Sequence, residues 1–286
     1  MKTLSGHDGL PLHWREWGAD ASTPARGTVL IVHGLGEHIG RYDAVAQRFN
    51  DWGWHVAGYD QRGHGASGGP RGDIPTADAL LRDLACVIDA VRADARMGQG
   101  PLLVLGHSMG GVVAARFVAG QVLAADGSAR PDWSRPVEGL VLSSPALDAG
   151  LSGLQRAMLA VSLPTVPHLA VGNGLNPAWI SRSPEVVQAY RNDPLVHDRI
   201  TPTLARMIAD FGAPVLAVAP RWPVPTLLMW AGADRCVAPA GSAAFAKAAP
   251  AGVQAVGFPG LFHEIFNEPE REQVFGCLKT WVAARS

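Results

Sequence analysis

The sequence is short of charge, of cysteine and of long apolar runs, and each shortage removes a class of protein. Charged side chains make up 17% of the 286 residues and nearly cancel, 24 Lys and Arg against 25 Asp and Glu. That balance leaves no basic stripe to track a phosphate backbone, so nucleic acid is not expected as a partner. The three cysteines, Cys86, Cys236 and Cys277, are odd in number and widely spaced. They fit neither a disulfide framework nor the paired spacing of a zinc site, and read as small buried hydrophobes; no metal is expected. No stretch reaches the roughly 18 uninterrupted apolar residues that span a bilayer. Residues 151–171 come nearest, but Gln155, Arg156, Pro164 and Pro167 interrupt them. Transient contact with a membrane or micelle is expected there, not a crossing. Residues 1–20 include His7, Asp8, His13, Arg15 and Glu16, unlike the basic start and apolar centre of a secretory signal. A cytoplasmic protein, at most peripheral to a membrane surface, is the expectation.

What the chain does have is 48% hydrophobic residues, enough for one single-core domain carrying an insertion. Residues 28–32, 54–58, 102–105, 139–142 and 226–230 are short, continuously apolar and bounded by turn residues, the mark of strands covered on both faces of a parallel sheet. Between them Leu80, Leu81, Leu84, Val87, Ile88 and Val91 recur at helical spacing. A last helix carries Val274, Phe275, Leu278, Trp281 and Val282, with Asn267 as its expected cap and Pro269 in its first turn. Strands alternating with helices predict a doubly wound α/β fold. The rhythm stops over 146–222, which reads as a helical cap inserted between core segments 1–145 and 223–286.

Gly106-His107-Ser108-Met109-Gly110 follows one expected strand directly and precedes a helical run from Val112 to Val122. Strand, tight turn and helix are the context of a nucleophile elbow, in which a β-carbon at either glycine would press on neighbouring backbone. A serine hydroxyl needs a base to take its proton and an acid to orient that base. In chain order the partners are Asp234, just after the strand ending at Trp230, and His263, in the loop before the last helix. His33, His38, His64 and His107 lie at or before the serine and break that order. An oxyanion requires two backbone N–H donors, expected from Met109 and from Leu35 in His33-Gly34-Leu35-Gly36.

With those residues assembled, the chain resembles the monoacylglycerol lipase and lysophospholipase branch of the α/β-hydrolases over nearly its whole length. The likeness is carried by His33-Gly34-Leu35-Gly36-Glu37-His38 with Arg41-Tyr42, by Asp60-Gln61-Arg62-Gly63-His64-Gly65, and by the complete elbow through Gly111. The segment from Ser181 to Glu185, continuing to Asn192-Asp193-Pro194-Leu195-Val196-His197, is also similar. The resemblance implies an α/β-hydrolase fold, a mobile cap over an apolar acyl tunnel, and no cofactor. It implies a polar end for glycerol near Gly34, Glu37, Arg41 and His107. Asp60 and Arg62 are expected to hold their loop together by an ion pair or hydrogen bonds.

The reading is therefore a serine hydrolase of carboxylic esters, monoacylglycerols first, acting on a small-molecule lipid through an acyl-serine intermediate. A general carboxylesterase, a lysophospholipase or an aminopeptidase of the same fold stands beside it, as does a binding protein that keeps the pocket without turnover. Leu151, Leu154, Met158, Leu159, Val161 and Leu163 either line the acyl path, rest on lipid, or form the packing face of the cap.

Overall fold

The computed structural model describes residues 2–18, 25–125 and 130–285. Its first elements, β1 (Lys2–Ser5) and β2 (Pro11–Trp17), form an antiparallel hairpin. Leu12 and Trp14 point into the core while Pro11 faces solvent, a partial alternation too short and too charged to stand out in the sequence. Met1, Ala19 and Asp20 of the stretch inspected for a leader lie outside the described residues.

There follow β3 (Thr28–Val32), α1 (Asp43–Asp51), β4 (His55–Tyr59), α2 (Ala79–Ala93), β5 (Leu102–His107), α3 (Ser108–Ala125) and β6 (Gly139–Ser143). The chain then leaves the sheet through α4 (Gly153–Thr165), β7 (Val171–Gly172), α5 (Pro184–Asn192), β8 (Arg199–Ile200) and α6 (Pro202–Val218). It returns with β9 (Thr226–Ala231), α7 (Pro239–Ala248), β10 (Val253–Phe258) and α8 (Arg271–Ala283).

The eight-stranded sheet runs β1-β2-β4-β3-β5-β6-β9-β10 and is parallel from β4 to β10. Because side chains alternate across a strand, its continuous apolar runs feed two cores. Leu30, Val32, Leu102 and Val104 pack with Leu84 of α2, Phe117 of α3 and Phe211 of α6. Val29, Ile31, Leu103 and Leu105 pack with Phe49 of α1 and Phe275 and Trp281 of α8. This is the α/β-hydrolase architecture that the sequence led us to expect.

Some local expectations are corrected. Helix α8 starts at Arg271 with Glu270 at its N-cap, so neither Asn267 nor Pro269 performs the role read from the sequence. Asn267 instead closes a short 3-10 turn, and its amide donates to Glu264 Oε2 at 2.8 Å. The free cysteines are half-buried, not buried. Asp60 does hold its loop, accepting from the N–H groups of Ile39 at 2.7 Å and Ala66 at 2.8 Å. Arg62 turns away to Asp83 of α2, at 2.6 and 2.8 Å, and to Asp8 of the hairpin.

Helix α6 begins on Thr201, whose hydroxyl accepts from the Leu204 N–H, followed by Pro202, a residue pre-set for a first helical turn. Pro202–Arg221 is long and apolar enough to cross a membrane by length and composition, but half of it is buried within the fold, with Leu204, Met207, Phe211 and Val215 turned inward. Its approach is set by Gly212, where an added Cβ would meet the Leu147 carbonyl oxygen at 1.9 Å. Helix propensity alone makes Gly212→Ala stabilising by about 1 kcal/mol. The close approach predicts the opposite sign, a loss of about 1–3 kcal/mol, readable as a lower urea midpoint; a raised midpoint would contradict this packing.

Candidate active site

Strand β5 ends at His107 and α3 begins at Ser108 with no residue between. Ser108 has φ of +53°, a conformation that side-chain-bearing residues seldom adopt and that stores strain at a functional turn. The turn closes because the glycines have no side chain. A Cβ on Gly106 would lie 2.5 Å from the Gly110 carbonyl oxygen, and one on Gly110 would lie 2.2 Å from that of Val32. Ser108 and Met109 thus occupy the start of a helix, where the first N–H groups have no partner within the helix and carry its positive end.

Asp234 stands in the turn after β9. Its Oδ1 accepts from the N–H groups of Cys236 at 2.8 Å and Val237 at 3.1 Å, and its Oδ2 lies 2.7 Å from His263 Nδ1. With Nδ1–H held by the carboxylate, Nε2 is the ring nitrogen left to accept a proton. Ser108 and His263 line the same cavity of about 460 Å³. The sheet thus brings three residues far apart in the chain to the carboxyl ends of strands β5, β9 and β10, the edge at which open α/β sheets hold their ligands.

Burial alone would lower the His263 imidazole; the Asp234 carboxylate and its hydrogen bond outweigh it, with Glu264 and Glu37 adding, and the net shift is upward. Burial works to raise Asp234, and the same His263 contact with the two backbone donors brings it down. His107, whose ring centre lies 4.7 Å from that of His263, is pushed down to about 4 by burial and by its neighbour, so it is neutral at pH 7.

The loop after β3 is held from beneath. The Gln61 N–H donates to His33 Nε2 at 2.9 Å, so His33 carries its proton on Nδ1, which donates to the Gly34 carbonyl at 2.8 Å. The Gln61 amide also donates to the His33 carbonyl at 2.7 Å. Gly34 and Leu35 line the cavity with Ser108. Leu35, Ser108 and Met109 also line a second, apolar cavity of about 110 Å³ with Ala149, Leu151, Ile208 and Val237.

Of the residues expected near a head group, Gly34, Glu37 and His107 line the larger cavity. Arg41 does not; its guanidinium sits behind the wall, between Glu37 and Glu264. Sequence reading missed Glu264, which directly follows His263 and has no motif signature. It also missed Tyr190, Asp193 and His197, which line the cavity from the segment between β6 and β9. That segment is fastened to the loop after β3 by the His197 N–H, which donates to the Gly36 carbonyl at 2.9 Å, and by His38 Nε2 against Asp193 Oδ2 at 2.8 Å.

Among the described residues two groups of metal-capable side chains converge, and in each the lone pairs are already engaged. At His7, Asp8 and Asp83 the Arg62 guanidinium occupies the centre. At Asp234, Cys236 and His263 the carboxylate already accepts the three N–H groups described above, and burial with the nearby carboxylates holds the Cys236 thiol protonated.

A family model described as serine aminopeptidase, S33, matches residues 23–270. A monoacylglycerol lipase of Mycolicibacterium smegmatis is 34% identical over 99% of this chain and 96% of its own length. A phospholipase of Bacillus subtilis is 30% identical over 93% of this chain and 97% of its own. The crystal structure of a Paleococcus ferrophilus monoacylglycerol lipase superposes with a TM-score of 0.82 at 32% identity, covering 96% of this chain and 99% of that one.

The geometry makes one titration specific. The His263 ring, followed by NMR, is expected to titrate above the ordinary value of 6.5. Asp234→Asn removes the neighbouring negative charge and should lower that midpoint by about one unit or more. A midpoint unmoved by the substitution would show that the pair is not formed in solution.

Proposed function

The chain belongs to the serine aminopeptidase S33 family of α/β-hydrolases, and from that premise we propose that Ser108, His263 and Asp234 hydrolyse the ester bond of monoacylglycerols, releasing fatty acid and glycerol. The protein is a serine hydrolase of carboxylic esters. In the proposed cycle His263 Nε2 takes the Ser108 proton as Oγ attacks the carbonyl, and Asp234 keeps the ring oriented and favours its charged form. The developing oxyanion is received by the N–H groups of Leu35 and Met109. His263 returns its proton to the departing glycerol oxygen, then activates the water that releases the acid.

The observation that carries the substrate is the meeting of two unlike cavities at Ser108. The apolar one suits an acyl chain. The larger adds charged side chains to its apolar lining but has no surplus of positive charge, holding Glu37, Asp193, Asp198 and Glu264 against Arg191 and Arg199. A phosphate head group would find four carboxylates there. An α-ammonium group, as an aminopeptidase substrate carries, would find no carboxylate without a partner, since Glu37 and Glu264 share the single cation Arg41, Asp193 meets His38 and Asp198 meets Arg199. A neutral, hydroxyl-bearing head group fits both facts. Lysophospholipid hydrolysis is the second reading, favoured by Arg191 and Arg199. A binding protein without turnover would have no need of the strained serine or of a histidine raised by its aspartate.

We also infer that residues 146–222 act as a cap that rests on lipid. In α4 no side chain is fully buried, and Leu154, Met158 and Val161 share one face at helical spacing with exposures of 72%, 62% and 68%. Leu169 and Val171 are also exposed. Single exposed apolar residues are ordinary, but a contiguous face of them marks an interaction surface.

Turnover should be highest on monoacylglycerols in a panel that includes lysophospholipids, short nitrophenyl esters and aminoacyl arylamides. Ser108→Ala should lower it by roughly 10⁶-fold and abolish labelling by a fluorophosphonate. Preference for arylamides or lysophospholipids would overturn the substrate, and substantial turnover by Ser108→Ala would overturn the mechanism. Leu154→Gln with Met158→Gln is expected to reduce activity on micellar substrate while sparing a monomeric nitrophenyl ester; equal activity on both would remove lipid contact.

A further inference from the structure

Glu264 follows His263 directly, and both of its carboxylate oxygens face one guanidinium. Arg41 Nη1 donates to its Oε1 at 2.6 Å and Nη2 to its Oε2 at 2.8 Å. The same Nη1 donates to Glu37 Oε2 at 2.7 Å. Glu37 Oε1 accepts from the Gly34 N–H at 2.6 Å and from the Tyr42 hydroxyl at 2.7 Å. One guanidinium therefore joins the loop that carries His263 to the loop that carries Gly34 and Leu35. The three side chains are 5% to 11% exposed, so the bridge is sheltered from the screening that makes surface ion pairs weak.

The charges do not cancel. Two buried carboxylates share one cation, and a buried charge left over acts strongly on its neighbours in a low local dielectric. The other titratable groups facing the His263 ring are Asp234, which is ionised, His107, which burial keeps neutral, and Cys236, which burial keeps as the thiol. Burial pushes Glu37 upward, yet Arg41 brings it down to about 2, so it stays ionised.

We propose that Glu264 is a positioning residue for the reaction assigned above. Through Arg41 it locks the histidine loop to the oxyanion loop, and the one negative charge that Arg41 leaves uncancelled favours the imidazolium formed as Ser108 loses its proton. The device is covered by the segment between β6 and β9. The Tyr190 ring lies 4.7 Å from the Arg41 guanidinium, and the Glu264 N–H donates to the Ile180 carbonyl at 2.8 Å. The upward pull of Glu264 and Glu37 on His263 agrees with this arrangement.

The proposal rests on His263 being the general base, and its test separates the two claims. The acid limb of kcat/KM against pH is measured for the wild type, Glu264→Gln, Arg41→Met and the double variant. Glu264→Gln keeps shape and removes a negative charge, so its limb should move to lower pH by about one unit. Its kcat should fall on the order of tenfold, within the range attributed to proton transfer, with KM little changed. Arg41→Met leaves two uncompensated carboxylates and should move the limb to higher pH. The double variant again carries one surplus carboxylate, Glu37, and should return near the wild-type limb. A purely structural role would lower the melting temperature without moving the limbs in opposite directions. An unmoved limb in folded Glu264→Gln overturns the proposal, and that variant decides alone if Arg41→Met does not fold. Ser108→Ala that still turns over ester would sink the assignment of the site; inactive Ser108→Ala with an unmoved Glu264→Gln limb would sink only the role of Glu264.

Discussion

A serine held in a left-handed backbone conformation, with no residue between the end of β5 and the start of α3, is the constraint on which the rest of the structure depends. It is tolerable only because Gly106 and Gly110 let three backbone segments approach closer than any β-carbon permits. Gly110 touches the carbonyls of Val32 and His33, so the contact that sharpens the turn also sets the distance from α3 to the loop after β3. Ser108, the N-terminus of α3 and the loop after β3 are fixed together by one steric fact. The two cores on either face of the sheet hold these strands in register, which is how a strained turn can persist.

Electrostatics then select the protonation states. The His263 ring is buried and would by itself prefer to be neutral; Asp234 reverses that preference while its second oxygen is held by two backbone N–H groups. His107 and His33 are equally buried, have no such carboxylate in hydrogen-bond contact, and are shifted the other way. Three histidines in one neighbourhood thus behave differently because one of them has an ionised partner. In the larger cavity the carboxylates likewise act through their partners, with Glu37 and Glu264 sharing Arg41, Asp193 meeting His38 and Asp198 meeting Arg199.

Much of this was legible in the residues. The parallel strands showed as continuous apolar runs because both faces are covered. The elbow showed because its glycines are required at fixed offsets, and Asp234 and His263 because chain order in this fold is restricted. The hairpin of β1 and β2 escaped because an edge ribbon buries so few of its side chains. The cap of α8 was misplaced because Asn267 gives its amide to Glu264 instead, a competition between residues that no local pattern records.

By itself the sequence determined the parallel strands and the tight turn that carries Ser108, since those follow from local sterics and periodicity. Only the tertiary structure decided that Arg41 stands behind the cavity wall, shared between Glu37 and Glu264, and that Tyr190, Asp193 and His197 reach the same cavity. The reason is physical: hydrogen bonds and buried charges pair by distance in space, and Arg41 and Glu264 are 223 positions apart in the chain. Steric requirements of a turn are written in consecutive residues, whereas the partners of a buried charge are not.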